Sequence, residues 1–149
     1  EEENNMKKRI LTAVLAAALV TGTCAATVSA KEEKTYTIGI CQLLQHDALD
    51  AATKGFEDAI TEKMGDSVKF DEQNAQGDSN TYSTIINSFV SEGADLILAN
   101  ATTALQCSAA ATSTIPILGT SVTDYATALE IDDWTGSTGR NISFGASIS

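Results

Sequence analysis

The sequence contains few of the residue types on which most enzyme sites depend. There is one histidine, His46, and there are three cysteines in 149 residues. No serine lies in a G-x-S-x-G elbow, and the histidine and cysteines are too scattered to hold zinc. Neither G-x-G-x-x-G nor G-x-x-x-x-G-K-S/T occurs, so dinucleotide and P-loop nucleotide sites are excluded. We therefore expect no catalytic residue, no metal site and no cofactor.

Positive charge is also scarce. The sequence has 9 Lys and Arg residues against 20 Asp and Glu residues, which gives a net charge of −11. No Lys or Arg lies between Lys69 and Arg140. A surface of this kind repels phosphate backbones and offers no basic patch to anionic lipids. We expect no nucleic-acid partner.

Residues 6–30 have the order of a secretory signal peptide. Met6–Arg9 is basic, the apolar run Ile10–Val20 follows, and small residues end at Val28–Ala30. The run is too short to span a bilayer, which needs about 20 residues. We predict export, with cleavage after the last of these residues. Glu1–Asn5 match no targeting pattern, and we interpret them as a translated leader.

The three cysteines leave alternatives open. Cys24 is removed with the signal peptide, unless it is a lipid acceptor, and Thr21–Thr23 before it fits a lipidation motif poorly. Cys41 and Cys107 remain, and disulfide connectivity cannot be read from their spacing. Because Cys is among the most buried residue types, we favour two buried free thiols.

Four short apolar runs alternate with helical patterns along the rest of the chain. The runs predict buried strands at Tyr36–Leu44, Val68–Asn74, Ala94–Ala99 and Ile115–Leu118. The other patterns predict helices over His46–Lys63, from Asp78 or Ser79 to Val90, from Thr102 or Thr103 to Ala111, and for one turn after Asp124. We expect Asp47 to cap the first helix, with Asp50 completing a box-like start.

This alternation predicts βαβ units, a parallel sheet and a doubly wound α/β fold. We assign residues 31–142 to one α/β lobe and residues 143–149 to a truncated or aberrant tail. Ligands of such sheets bind beyond the carboxyl ends of the strands. That rule selects the loops Gln42–Asp47, Asn74–Asp78, Asn100–Ala104 and Gly119–Asp124, and whatever follows Asn141.

Five residues in these loops are candidate ligand contacts. Thr102 and Thr103 open a helix whose free N–H groups favour an anion such as a ligand carboxylate, and the alternative is that one of them caps the helix. Asp124, which follows Thr123, is a candidate partner for a ligand ammonium group or an N-cap. Gln42 can donate or accept at the end of the first strand, although Gln is more commonly a solvated loop residue.

Four segments resemble, in order and spacing, the ABC-transporter substrate-binding family that includes tryptophan and tyrosine binders. They are Ile38–Phe56 (IGICQLLQHDALDAATKGF), Phe70–Asp78 (FDEQNAQGD), Ala94–Ala104 (ADLILANATTA) and Ile115–Asp124 (IPILGTSVTD). The resemblance covers nearly all of residues 36–142. It departs from the family pattern at Tyr125, because the family usually has Pro after Thr-Asp.

The resemblance implies a type I periplasmic-binding-protein fold, in which two α/β lobes close over a small-molecule ligand. It implies an exported protein at the periplasmic or extracellular face of the membrane that serves the permease of an ABC importer. Aromatic amino acids are the family's tendency, and its cleft loops match Gln42, Thr102, Thr103, Thr123 and Asp124. The family continues past Asn141–Ser143 into a hinge and a second lobe. We expect this chain to lack that lobe and to bind amino acids weakly or not at all.

Two other functions remain open. The chain could be the ligand-sensing lobe of a membrane receptor, or an exported α/β enzyme that uses carboxylates such as Asp78 and Asp124. A sugar is the rival ligand within the binding-protein interpretation. The candidate loops offer few aromatic side chains on which a sugar ring could stack, which disfavours it.

Overall fold

The structure, a computed structural model, describes residues 34–145. The predicted leader, the signal peptide and Cys24 lie outside these residues. The strands are β1 (Tyr36–Gln42), β2 (Val68–Asn74), β3 (Leu96–Asn100), β4 (Ile117–Thr120) and β5 (Ile142–Phe144). The helices are α1 (Asp47–Met64), α2 (Ser79–Glu92), α3 (Thr102–Ala111) and the single turn α4 (Tyr125–Ala128), with a 3-10 turn at Gly65–Ser67.

All five strands are parallel and stand in the order β2-β1-β3-β4-β5. At their carboxyl ends Gln42 pairs with Asn74 on one side and with Asn100 on the other, and Asn100 pairs with Thr120. The strand order reverses between β1 and β3, which is the switch point at which such sheets bind ligands. The predicted doubly wound α/β fold is confirmed.

The side of the sheet that α1 covers has a small core. Ile38, Ile40 and Leu98 form this core, and Phe56 of α1 packs against them. Phe56 also meets Phe70 of β2 edge to face, with ring centroids 6.3 Å apart. These apolar contacts hold α1 across β1 and β2, and so fix the direction in which α1 leaves the carboxyl edge.

The opposite side of the sheet carries the larger core, to which α2, α3 and α4 contribute. Tyr82, Phe89 and Leu105 are fully buried there. A Cβ atom at Gly39 would lie 2.5 Å from the Phe89 ring, so β1 needs a glycine at this position for α2 to pack on it. Since side chains alternate along a strand, Gly39 faces α2 while its two neighbours face α1.

The start of α1 differs from the prediction. Its N-cap is His46, whose Nδ1 accepts a hydrogen bond from the Ala48 amide at 3.2 Å. The predicted Asp47 cap and the capping role of Asp50 are therefore wrong. Asp50 is engaged elsewhere, because its carboxylate accepts from the side-chain amide of Gln42 at 2.5 Å.

The loop between β2 and α2 is a turn followed by a helix cap. Asn74 Oδ1 accepts from the Gln76 amide at 2.8 Å, which is an Asx turn. Asp78 then caps α2 by accepting from the Thr81 amide at 2.8 Å. Gly93 ends the helix in the left-handed conformation with a φ of 73°, as expected of a glycine at this position.

The last two strands show where the apolar pattern misleads. The predicted strand Ile115–Leu118 lies two residues too early, because β4 is placed by its pairing with β3, in which Ile97 stands opposite Ile117. β5 was not predicted as a strand, and it crosses the boundary that we placed at residue 142. It has three residues, of which Ile142 is the buried one, and its pairing with β4 defines it.

The two described cysteines are free thiols, Cys41 buried and Cys107 half-buried. Burial, and then the nearby Cys107, raise the pKa of Cys41 to about 12. Cys41 is therefore protonated at neutral pH and is a poor nucleophile. None of the helices within residues 34–145 is long and apolar enough to cross a bilayer.

Candidate functional site

The carboxyl edge of the sheet gathers the predicted loops. Gln42, Asn74, Asn100 and Thr120 end four neighbouring strands and stand side by side in register. The loops that carry the remaining candidates start from the ends of β3 and β4. All five predicted ligand contacts therefore follow strands at one edge of the sheet, as the rule for parallel sheets requires.

Gln42 is occupied by contacts inside the protein. Its side chain is 2% exposed, so the expectation of a solvated loop residue is wrong. Its Oε1 accepts from the Thr53 hydroxyl at 2.8 Å, and its Nε2 donates to the Leu44 carbonyl at 3.0 Å and to Asp50. These bonds tie the end of β1 to α1.

Asn100 extends this buried network to β3. Its side chain is fully buried, and its Nδ2 donates to the Leu49 carbonyl at 2.9 Å and to the Thr53 hydroxyl at 3.0 Å. Its Oδ1 is buried without a hydrogen-bond partner among the described residues. Sequence reasoning missed Asn100 and Thr53. An amide that ends the apolar run LILAN at the switch point was the available signal.

The start of α3 is built differently from the other helix starts. Its N-cap is Ala101, with φ 105° and ψ 164°, and no side chain caps it. A non-glycine residue with such a φ is strained by about 1–3 kcal/mol and marks functional sites. Thr102 and Thr103 are half-buried first-turn residues, so the alternative that one of them caps the helix is wrong.

The first turn of α3 can therefore receive an anion. The first N–H groups of a helix have no partner within the helix, and the N-cap residue Ala101 supplies no side-chain acceptor for them. The earliest helical bond runs from the Leu105 amide to the Ala101 carbonyl at 3.1 Å. The helix dipole adds a partial positive charge at this end, in a stretch of sequence without Lys or Arg.

Residues 37–144 match the family model described as ABC transporter substrate binding protein. The chain belongs to this family. The resemblance carried by the four sequence segments is thereby confirmed. A curated relative, the tyrosine-binding protein of Clostridioides difficile (strain R20291), is 46% identical over 95 residues, which are 62% of this chain and 28% of the relative.

Two solved structures extend the comparison. One is an ABC domain from Streptococcus pneumonia in complex with L-Trp, with a TM-score of 0.69 and 32% identity, and the match covers 76% of this chain and 39% of that one. The other is a ligand-free, open substrate-binding protein with adhesive properties from Clostridium difficile, with a TM-score of 0.68, 38% identity and coverage of 74% and 38%. The chain spans less than two fifths of the length of these relatives.

In this substrate-binding protein, Asp124 is first of all a helix cap. It precedes α4 and accepts from the Thr127 amide at 3.2 Å and from the Thr127 hydroxyl at 2.7 Å. These bonds, the hydroxyl first, lower the pKa of the exposed Asp124 carboxyl and keep it charged. Thr123 beside it is exposed at the same edge. The two residues follow β4, next to the start of α3 on β3.

A groove of about 330 Å³ opens between α1 and β2, on the side of the switch point away from α3. Its lining is polar and carries three carboxylates, those of Asp50, Glu57 and Glu72, against one cation, Lys54. Burial, and then the negative charge of Glu72, raise the pKa of Glu57. The groove thus repels a carboxylate, which leaves the start of α3 as the better anion site. No group of three or more metal-binding side chains occurs within residues 34–145.

Proposed function

We propose that this chain belongs to an extracytoplasmic binding protein that delivers an aromatic amino acid to the permease of an ABC importer. The family is that of ABC transporter substrate-binding proteins. A curated relative is named for tyrosine, and a related solved structure holds L-Trp. The uncapped, strained start of α3 at the switch point is the observation that carries the proposal, because it offers an amino-acid carboxylate a fixed set of donors.

The proposed site takes the ligand between two loops. The carboxylate binds the first-turn N–H groups of α3, with the hydroxyls of Thr102 and Thr103 beside it. The ammonium group lies near Asp124, with Thr123 as a neighbouring contact. Gln42 supports the site indirectly, because its side-chain hydrogen bonds to Asp50 and Thr53 hold the end of β1 against α1.

Nuclear magnetic resonance of the 149-residue chain tests the carboxylate site, since it detects weak binding and locates it. L-Phenylalanine should shift the amide signals of Thr102, Thr103 and Ala104 more than those of the acidic groove. Phenethylamine is the matched control, because it keeps the ring and the ammonium group but lacks the carboxylate. It should leave the three signals in place. Equal shifts with both compounds, or none with either, would show that the carboxylate does not bind there.

Export is proposed from residues 6–30, which lie outside the described residues. The mass of the protein recovered outside the cytoplasm tests it, and the mature chain should begin at Lys31. A second protein in which Lys7, Lys8 and Arg9 are changed to Ser should stay inside the cell. Export of an uncleaved chain would contradict the predicted cleavage site.

A further inference from the structure

Three aromatic rings form a row at the end of β4 and β5, which we call the aromatic row. Phe144 stands in the middle, with its ring centroid 5.2 Å from that of Tyr125 and 5.5 Å from that of Trp134. Tyr125 is buried, whereas Phe144 and Trp134 are 41% and 38% exposed. Large apolar side chains that lie exposed next to one another mark a binding surface more often than an isolated one does.

The end of β4 lies between the aromatic row and the start of α3. On one side the Tyr125 hydroxyl and the Gly145 amide both donate to the Gly119 carbonyl, at 2.9 and 2.8 Å. On the other side the Ala101 amide donates to the Thr120 carbonyl at 3.0 Å. Because neighbouring strands are about 4.8 Å apart, the ends of β3 and β5 are roughly 10 Å apart.

The aromatic row and α3 also share one face of the sheet. Leu105 of α3, Tyr125 and Ile142 belong to one core cluster. Phe144 follows Ile142 by two residues, so both side chains project to this face, and the contact between Phe144 and Tyr125 agrees with this. An amino acid at the start of α3 can thus reach the row with its side chain.

We propose that Phe144 and Trp134 form a shelf that receives the aromatic ring of the ligand whose carboxylate binds at α3. This inference rests on the proposed function and deepens it by naming the residues that select the ring. Offset or edge-to-face aromatic contacts contribute beyond the area they bury, and they correspond to about two- to tenfold in affinity. The shelf therefore favours aromatic over aliphatic amino acids of similar size.

Trp134 reports directly on this shelf, because it is the single tryptophan of the sequence. Titration with L-phenylalanine, which does not emit in this range, should shift Trp134 emission to shorter wavelength as the ring covers the indole. The shift should saturate at the same concentrations as the amide signals of Thr102 and Thr103. L-Leucine should move those amide signals and leave the emission nearly unchanged.

A matched pair of variants separates stacking from folding. Phe144→Leu keeps an apolar side chain but removes the ring, and should weaken L-phenylalanine binding by about three- to tenfold while L-leucine binding stays the same. Phe70→Leu removes a ring from the pair on the opposite face and should change neither affinity.

The outcomes distinguish the two proposals. If the α3 amide signals titrate with L-phenylalanine but the emission of Trp134 does not move, the shelf is wrong and the carboxylate site stands. If Phe144→Leu weakens the binding of both amino acids equally, Phe144 has a structural role and the shelf is likewise wrong. If no amide signal of α3 titrates, the carboxylate site fails and the shelf fails with it.

Discussion

The two halves of the carboxyl edge are built in opposite ways. In one half, where β1 and β3 end against α1, the polar groups of the edge bond within the protein, since Gln42 and Asn100 bond to each other and to Thr53 of α1. In the other half, formed by the start of α3 and the ends of β4 and β5, the helix has no side-chain cap and two aromatic rings stay exposed. The closed half fixes the positions of the elements, and the open half leaves donors and apolar surface for a ligand.

The largest expected effect comes from breaking the closed half. Asn100→Ala removes three hydrogen bonds of the Asn100 side chain, to Gln42, Leu49 and Thr53, and leaves the Leu49 carbonyl without its donor from Asn100. We expect the free energy of unfolding to fall by about 2–4 kcal/mol, as for other buried hydrogen-bond networks. Urea unfolding measures this. Asn80→Ala on the exposed face of α2 is the control and should stay within about 0.5 kcal/mol. Equal effects of the two variants would mean that the network does not hold the edge.

A smaller effect is expected from crowding the open half. A Cβ atom at Gly119 would lie 2.8 Å from the Tyr125 ring, so Gly119→Ala should destabilise the protein by about 1–3 kcal/mol through overpacking. It should also change Trp134 emission, because Tyr125 supports the aromatic row. The same substitution at Gly55, inside α1 with no atom near the new Cβ, should stabilise by about 0.5–1 kcal/mol. Thermal unfolding that moves in the same direction for both would contradict this explanation.

The smallest expected effect is a change in ligand affinity when Asp124, in the open half, loses its charge. Asn caps a helix about as well as Asp, so Asp124→Asn keeps α4 but removes the charge. If the ligand ammonium lies nearby, L-phenylalanine should bind about two- to fivefold more weakly, as expected of an exposed ion pair. Unchanged affinity would restrict Asp124 to its capping role.

The Asp124→Asn variant and the native chain should differ in how much stability they lose in acid. In the native protein the pKa of Asp124 lies below its ordinary value of 3.8. Its contribution to stability is therefore present above about pH 4 and is lost as the pH falls through the lowered pKa. Asp124→Asn should lose less stability than the native chain on acidification below pH 4.

The fold was predictable because buried parallel strands and amphipathic helices have distinct periods. The strand predicted to begin at Val68 and to run toward Asn74 matches β2, because it follows the helix stop at Gly65. The limits of β4 and β5 were not predicted, because they depend on pairing between residues such as Ile117 and Ile142 that are far apart in the sequence. Local pattern carries no information about such pairing.

The site was predictable only as a set of loops. The parallel-sheet rule brought Thr102, Thr103 and Asp124 to one edge. Asp78 and Asp124 cap their helices as the sequence suggested, whereas the caps His46 and Ala101 follow from contacts that the sequence does not display. Whether a residue such as Gln42 faces solvent or the interior depends on where α1 crosses β1. The buried network follows from that packing, and the aromatic row follows from the pairing of β5 with β4.

The backbone at Ala101 has one more consequence. Glycine would adopt its φ of 105° without steric cost, so Ala101→Gly should make the protein more stable. Alanine restricts the backbone at this position more than glycine would, so the N–H groups that follow it at the start of α3 are held in a fixed orientation. The proposed binding of a ligand carboxylate to these N–H groups then loses little conformational entropy. In return, the protein is less stable than the Ala101→Gly variant would be.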